Sequence, residues 1–367
     1  MSSKLFGVDA SRAVRSNRTG TENYSWYLLK ALAEQDHTNR YRFYAPHLPK
    51  EKFGDYANID WKILPAKRLW SQVQLAKELR QNPPDVLFVP SHVIPVFSNV
   101  KSVVTIHDLA YRYYPASYSS FERRYLNFTT GLSASKATMI LVPSESTKHD
   151  LLKEYKVDSK KVVVTPLAYN QEVFNLQADH GTRPIESPYI FSVSRIEHRK
   201  NTGLLVDAFG LLAKESKNIV LVLAGRPGQG YEAIRQKIDA LPESIRRRVI
   251  QPGYFPLYDA ARYMKFAEMF VYPSLYEGFG IPALEAMALG TPVICSNSSS
   301  LPEVAGDAAV LLPPNNPLSW AAAMSRVIHQ KEYAQKLRAA GLEQVKQFSW
   351  QKTAAATLKV LEDVAGR

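Results

Sequence analysis

A strand-then-helix alternation, run through twice, constrains this chain more than any other feature. Lys4–Asp9 reads as a strand and Glu22–Glu34 as an amphipathic helix with Tyr24, Tyr27, Leu28, Ala31 and Leu32 on one stripe. Val86–Val89 and Ser102–Ile106 are apolar, β-branched runs, the pattern of strands covered on both faces. Phe121–Ser135 reads as helix and Met139–Val142 as strand; Ser144 caps a helix to about Tyr155, and Val162–Thr165 is a further strand. The polar stretch Gln177–Pro188, with one Gly and two Pro, then breaks the series. A second series follows: strand Tyr189–Val193, helix Asn201–Lys214, strand Ile219–Ala224, a helix from about Tyr231, strand Glu268–Tyr272, helix Ile281–Leu289 and strand Pro292–Cys295. Helices over Pro317–Gln330 and Lys331–Gln347 come next, and Trp350–Val364 carries Ala355, Leu358, Leu361 and Val364 at helical spacing. Such arrays predict an α/β protein with two parallel-sheet, Rossmann-like halves. The expected division is 1–178, 179–349, and a helix over 350–367 packing back toward the first domain. Ligands are expected in a cleft between the halves, beyond the carboxyl ends of the strands.

At 367 residues the chain can bury two cores, and 46% hydrophobic with 11% aromatic residues excludes disorder. No apolar run approaches the roughly 20 residues that cross a bilayer. The start of the sequence lacks a signal-peptide apolar core of about 7–15 residues. The single Cys295 excludes an intrachain disulfide and suits a reducing compartment, so cytoplasmic residence is the expectation. Net charge is +12, and residues 1–175 hold 24 Lys and Arg against 16 Asp and Glu. That field favours phosphorylated substrates or an anionic lipid surface; a plain solvated basic surface accounts for it equally well. Without a basic low-complexity arm, zinc-finger spacing or RNA-binding aromatic motif, nucleic acid is not an expected partner.

The most informative stretch is Tyr272–Ile294, YPSLYEGFGIPALEAMALGTPVI. A strand ends near Tyr272, a loop follows, and a helix starts near Ile281 with Pro282 in its first turn. Gly278 and Gly280 leave the loop backbone uncovered, so its N–H groups and the helix N-terminus can face an anion such as a diphosphate. Glu277 lies in the loop, and Glu285, eight residues on, lies on the helix. Carboxylates repel phosphate, so these two suit the hydroxyls of a sugar or a ribose. A tight strand–helix turn with one surface and one capping glutamate fits the same residues. In Ser192–Asn201, SVSRIEHRKN, Arg195 and Lys200 stand five apart in a loop after a strand. Together they can neutralise a leaving diphosphate, although a solvated charge run looks alike.

These stretches resemble glycosyltransferase family four, whose E-x7-E motif is matched by Glu277 and Glu285 and whose G/S-R-x-x-x-x-K-N element is matched by Ser194, Arg195, Lys200 and Asn201. The resemblance covers nearly the whole chain, tightly in the second half and more loosely in the first. It implies a GT-B fold, two Rossmann-like domains facing across a cleft, and retaining transfer of a sugar from a nucleotide-diphosphate donor. It implies that Glu277 works at the donor sugar as a catalytic residue and that Glu285 holds the ribose. The backbone of Gly278, Phe279, Gly280 and Ile281 is implied to hold phosphate and sugar. Glu197 and His198 fall outside the motif, and Arg199 reads as a solvated side chain. His107, in VVTIHD at the end of the expected fourth strand, matches the family's H-D pair and is the second candidate catalytic residue; a lone His is otherwise usually structural. Asp108 orients it or caps the next element. Gly20, in Arg18–Glu22, resembles the family's glycine-rich loop, with one glycine where the family often has two. Leu223–Gly230 and Gly253–Phe255 are implied to border the donor phosphates and the nucleobase. Tyr111–Tyr125, rich in Tyr and Arg, suits an acceptor sugar, a lipid headgroup or a packed helix.

The sequence has no D-x-D triplet and no His/Cys cluster with metal spacing, so neither metal nor cofactor is expected beside the donor, for which GDP-mannose is favoured. The expected acceptor is a glycan or lipid-linked saccharide of cell-surface polysaccharide assembly, met by a cytoplasmic enzyme peripheral at the inner face of the membrane. The rivals are an epimerase or phosphorylase on the same fold and a non-catalytic basic binding protein. A dinucleotide oxidoreductase is disfavoured because no G-x-G-x-x-G follows the first strand. Neither His107 nor Glu277 sits in an apolar stripe, so neither is expected to carry the fold.

Overall fold

The computed structural model describes residues 3–16, 18–66, 69–91 and 93–366. They form two units: Met1–Arg112, Ser120–Leu167 and Ser349–Arg367 in the first, Tyr113–Ser119 and Ala168–Phe348 in the second. The first unit holds β1 (Leu5–Asp9), β2 (Arg40–Ala45), β3 (Ile59–Ile63), β4 (Val86–Val89), β5 (Ser102–Thr105), β6 (Met139–Val142) and β7 (Val162–Val164). They pair in the order β3-β2-β1-β4-β5-β6-β7, every neighbour parallel. β4, β5 and β6 are buried at every position, as their unbroken apolar runs require. β2 and β3 escape the sequence reading. RYRFYA mixes arginines with aromatics, and IDWKI is an edge strand whose Asp60 accepts from Arg42 Nε at 3.0 Å. The strand leading to His107 is therefore the fifth in chain order, not the fourth.

In the same unit the helix Gly20–Gln35 opens on a reciprocal cap. Thr19 donates to Glu22 Oε2 through its hydroxyl at 2.6 Å and its backbone N–H at 3.3 Å. The C-terminal helix Trp350–Gly366 lies against it: Trp350 stacks on Tyr27 with centroids 5.7 Å apart, and Thr353 Oγ1 donates to the Pro166 carbonyl at 2.6 Å.

The second unit holds β8 (Tyr189–Val193), β9 (Val220–Ala224), β10 (Val249–Gly253), β11 (Met269–Tyr272), β12 (Val293–Ser296) and β13 (Ala309–Leu312). Their order is β10-β9-β8-β11-β12-β13, again all parallel. β10 and β13, unread in the sequence, are the edges, and Pro252 is tolerated in β10 because an edge strand can spare an N–H. The helix Thr202–Glu215 buries Leu205, Val206, Phe209 and Leu212 in this unit's core. In both sheets the order reverses beside the unit's first strand, between β1 and β4 and between β8 and β11. Loops leaving the carboxyl ends there diverge to either side and leave room for a ligand. Among the described residues, no helix is long and apolar enough to cross a membrane.

Candidate active site

Because β8 and β11 are hydrogen-bonded neighbours, the loops 194–201 and 273–280 leave the sheet side by side. That adjacency brings Lys200 onto Glu277, with Nζ 2.5 Å from Oε1. Tyr272, the last residue of β11, donates its hydroxyl to the same Oε1 at 2.6 Å and accepts from Lys200 Nζ at 3.1 Å. The Lys200 and Glu277 side chains keep only 12% and 11% exposure. Burial by itself would raise the Glu277 carboxyl, but the Lys200 ammonium and the Arg199 guanidinium outweigh it and hold the group below its ordinary range. Burial lowers the Lys200 ammonium, against the pull of Glu277.

Arg199 is not the solvated side chain the sequence suggests. It is 15% exposed, and its Nη2 lies 3.1 Å from Oε1 of the buried Glu197. Its Nη1 donates to the Tyr276 carbonyl at 2.8 Å and lies 3.8 Å from Glu277 Oε2. Its carbonyl accepts from Leu275 N at 2.9 Å. Arg199 therefore ties the two loops together, and Glu197, outside the sequence motif, is its counter-charge. Arg195 has a different setting: it is 69% exposed, and Nε stands 3.9 Å from Glu197 Oε2. The structure does not set Arg195 and Lys200 as a matched pair; one is open to solvent and the other is engaged by Glu277.

The helix Ile281–Ala288 starts after Gly280, whose φ of +108° is a left-handed value. A Cβ there would lie 2.6 Å from Leu301 Cδ2, so this position is closed to other residues on two grounds. The Phe279 ring is buried edge-on against Phe348, 5.7 Å between centroids, which leaves its backbone for any contact with a ligand. The loop is clamped from behind by the serines after β12. Ser296 and Ser298 donate to the Ser274 carbonyl, the latter at 3.0 Å, and Ser299 Oγ accepts from Glu277 N at 2.8 Å. Ser300 Oγ donates between the carbonyls of Glu277 and Phe279, at 2.9 and 2.8 Å. The carboxyl of Glu285, half-buried on the helix, makes no hydrogen bond or ion pair with the described residues. Burial pushes its carboxyl up to about 8.

The glycines of Leu223–Gly230 serve backbone approach. At Gly225 (φ +142°) a Cβ would sit 1.7 Å from the Ser194 carbonyl oxygen, and Gly225 N donates to the Gly253 carbonyl at 2.7 Å. Beside them the Arg226 guanidinium covers the ring of Tyr254, itself 59% exposed. In the first unit, Gly20 has no atom within 4 Å of a built Cβ and no left-handed φ, so nothing described there requires a glycine.

His107 lies just past β5. It is 8% exposed, its Nε2 is 2.9 Å from the Pro90 carbonyl, and Tyr24 meets its ring edge-on at 4.6 Å. The ring is packed and hydrogen-bonded, so His107 also contributes contacts to the first unit's interior. Asp108 caps the next turn, its Oδ1 accepting from Ala110 N at 2.9 Å. Tyr111–Tyr125 is not one surface. Tyr111 is buried against the Tyr155 hydroxyl, and Tyr113 stacks on Tyr276 at 5.3 Å within the second unit. Phe121 and Tyr125 face solvent.

Comparison with known proteins agrees with this geometry. A family model described as Glycosyltransferase Family 4 matches residues 18–172, and one described as Glycosyl transferases group 1 matches residues 175–344. O-antigen chain mannosyltransferase B of Escherichia coli is 30% identical over 265 residues, covering 70% of this chain and 69% of that one. The serotype-specific mannosyltransferase WbdA of Escherichia coli is 29% identical over 272 residues, covering 69% of this chain and only 32% of WbdA. Among solved structures, sucrose-phosphate synthase from Thermosynechococcus elongatus superposes with a TM-score of 0.76 at 20% identity, covering 98% of this chain and 99% of that one. Anabaena HepE in complex with UDP-glucose superposes with 0.73 at 15% identity, with the same coverages.

Proposed function

The chain belongs to the glycosyltransferases of group 1 and family four and has the GT-B fold, and from that footing we propose that it is a retaining hexosyltransferase. It moves a sugar, mannose favoured, from a nucleotide-diphosphate donor to a glycan or lipid-linked acceptor in cell-surface polysaccharide assembly. The observation that carries the reading is Glu285. Its carboxyl is desolvated and unpaired on the helix that Gly280 opens, beside the Lys200–Glu277–Tyr272 cluster. A half-buried carboxyl that no described side chain pairs with is open to a ligand, and a ribose diol fits. In this reading Arg195, Lys200 and the backbone of Gly278, Phe279, Gly280 and Ile281 face the diphosphate. Glu277, held ionised, accepts from a hydroxyl of the donor sugar, and Gly20 is assigned to donor binding through its family match. His107 is assigned to the transfer step through its family match. The leaving diphosphate accepts the proton of the attacking hydroxyl on the same face of the sugar, which retains the anomer.

The relatives named as O-antigen mannosyltransferases favour GDP-mannose; HepE, solved with UDP-glucose, keeps a uridine donor in the comparison. Such an acceptor goes with a peripheral position at the inner face of the membrane. The test is a melting-temperature panel of nucleotide-diphosphate sugars, followed by transfer from the best binder in excess chelator and assignment of the product anomer. GDP-mannose is expected to give the largest shift, with transfer continuing in chelator. No shift with any donor, or donor converted to an epimer without transfer, refutes the function. Activity that dies with chelator and returns with manganese or magnesium refutes the metal-free route.

A further inference from the structure

The helix Ser120–Lys136 in the first unit buries residues only in its C-terminal half, and its first two turns are exposed apart from the half-buried Leu126. Its buried residues are Thr129, Thr130, Ser133 and Ala134, which are small and mostly polar. Its aromatic residues face solvent: Phe121 is 75% exposed, Tyr125 50% and Phe128 67%. Spacing of i, i+4 and i+7 sets the three rings on one stripe, and Phe121 stacks on Tyr125 with centroids 6.5 Å apart. Arg124 borders the stripe and Arg123 lies on the same turns; both are exposed, and neither pairs with a carboxylate among the described residues. Scattered exposed apolar residues are ordinary, whereas three aromatic rings aligned on one exposed helix face mark a contact surface.

We propose that this stripe is where the protein lies on an anionic membrane. The rings enter the boundary between headgroups and acyl chains, and Arg123 and Arg124 meet lipid phosphates. Charge decides among the occupants. Pairing with a second copy across a two-fold axis would set these arginines against their own counterparts, in a chain whose net charge is already +12. A neutral glycan would stack on the rings and leave the arginines without a counter-charge. The inference deepens the reading of a lipid-linked acceptor and rests on it for purpose only, since the surface belongs to the first unit by itself.

The experiment floats the full chain with phosphatidylcholine vesicles, with and without phosphatidylglycerol, at low and high salt. Wild type is expected to partition at least about tenfold better onto anionic vesicles at low salt, falling as salt rises. The variants F121S/F128S and R123E/R124E are each expected to lose about tenfold of that partition while keeping the wild-type melting temperature. Both should keep wild-type transfer to a water-soluble acceptor. Equal partition onto neutral and anionic vesicles overturns the proposal, as does undiminished flotation of F121S/F128S. So does a wild-type dimer, seen by sedimentation, that F121S/F128S splits. Absence of sugar transfer by wild type sinks the proposed function and leaves the flotation result standing, so the two failures are distinguishable.

Discussion

Replacing Arg199 with Met keeps most of the side-chain volume and removes the charge. The guanidinium lies 3.1 Å from Glu197, which is 4% exposed and whose other ion pair among the described residues is with Arg195, at 3.9 Å and 69% exposed. The substitution strands a buried carboxylate, a loss that costs about 3–5 kcal/mol when one partner of a buried pair is removed. For a unit of this size, at roughly 2–4 °C per kcal/mol, the melting temperature of the ligand-free protein should fall by about 6–20 °C. Adding E197Q removes the stranded charge, so E197Q/R199M should recover most of the loss, with a coupling energy above about 1 kcal/mol. Arg199 is also one of two cations holding Glu277 ionised, so in R199M the acid limb of kcat/KM should move to higher pH. Melting curves for wild type, both single variants and the double variant, with a pH–rate profile for R199M, make the assay. If R199M melts within about 2 °C of wild type, or the double variant is no more stable than R199M, the buried-pair argument is wrong.

Glu285 has a folded-state pKa of about 8 against an ordinary 4.5, so between those values the folded chain holds a proton that the unfolded chain has released. Stability from this group is full below about pH 4.5 and is lost as pH rises through 8. E285Q should therefore match wild type in melting temperature near pH 4.5 and exceed it increasingly up to about pH 8.5; a pH-independent difference would refute the assignment. The glycines separate two kinds of need. Gly280→Ala meets both strain and Leu301 and should destabilise by about 1–3 kcal/mol by denaturant titration. Gly20→Ala, in open space at a helix start, should stabilise by up to about 1 kcal/mol while raising the donor KM; unchanged KM removes Gly20 from the site.

Most central strands, and the helices that follow them, were legible within a residue or two because unbroken apolar runs and capping residues such as Ser144 are local signals. β2, β3 and β10 were not, because strands at or toward a sheet edge face solvent on one side and mix charges or proline into the run; β13, AVLL, is apolar but only four residues long and half-buried throughout. Glu277, Lys200 and Gly280 stood out by spacing, and the structure brings the first two together. Arg199 was misread because its partners arrive only through the pairing of β8 with β11, an event some 75 residues away in sequence. The contacts of His107 are equally non-local: its hydrogen bond to Pro90 crosses from the end of β5 to the end of β4, and nothing in VVTIHD announces it.

The serine clamp behind the 273–280 loop bears on how fast and how tightly a donor can be held. With Ser296, Ser298, Ser299 and Ser300 all bonded to that loop, the protein's own hydrogen bonds hold its backbone in one conformation. A donor arriving there meets a preformed surface, so its binding free energy is not spent on ordering this segment. The amide hydrogens of Leu275 and Glu277, which donate to the Arg199 carbonyl and to Ser299 Oγ, should thus exchange slowly with solvent deuterium before any donor is added, and gain little protection afterwards.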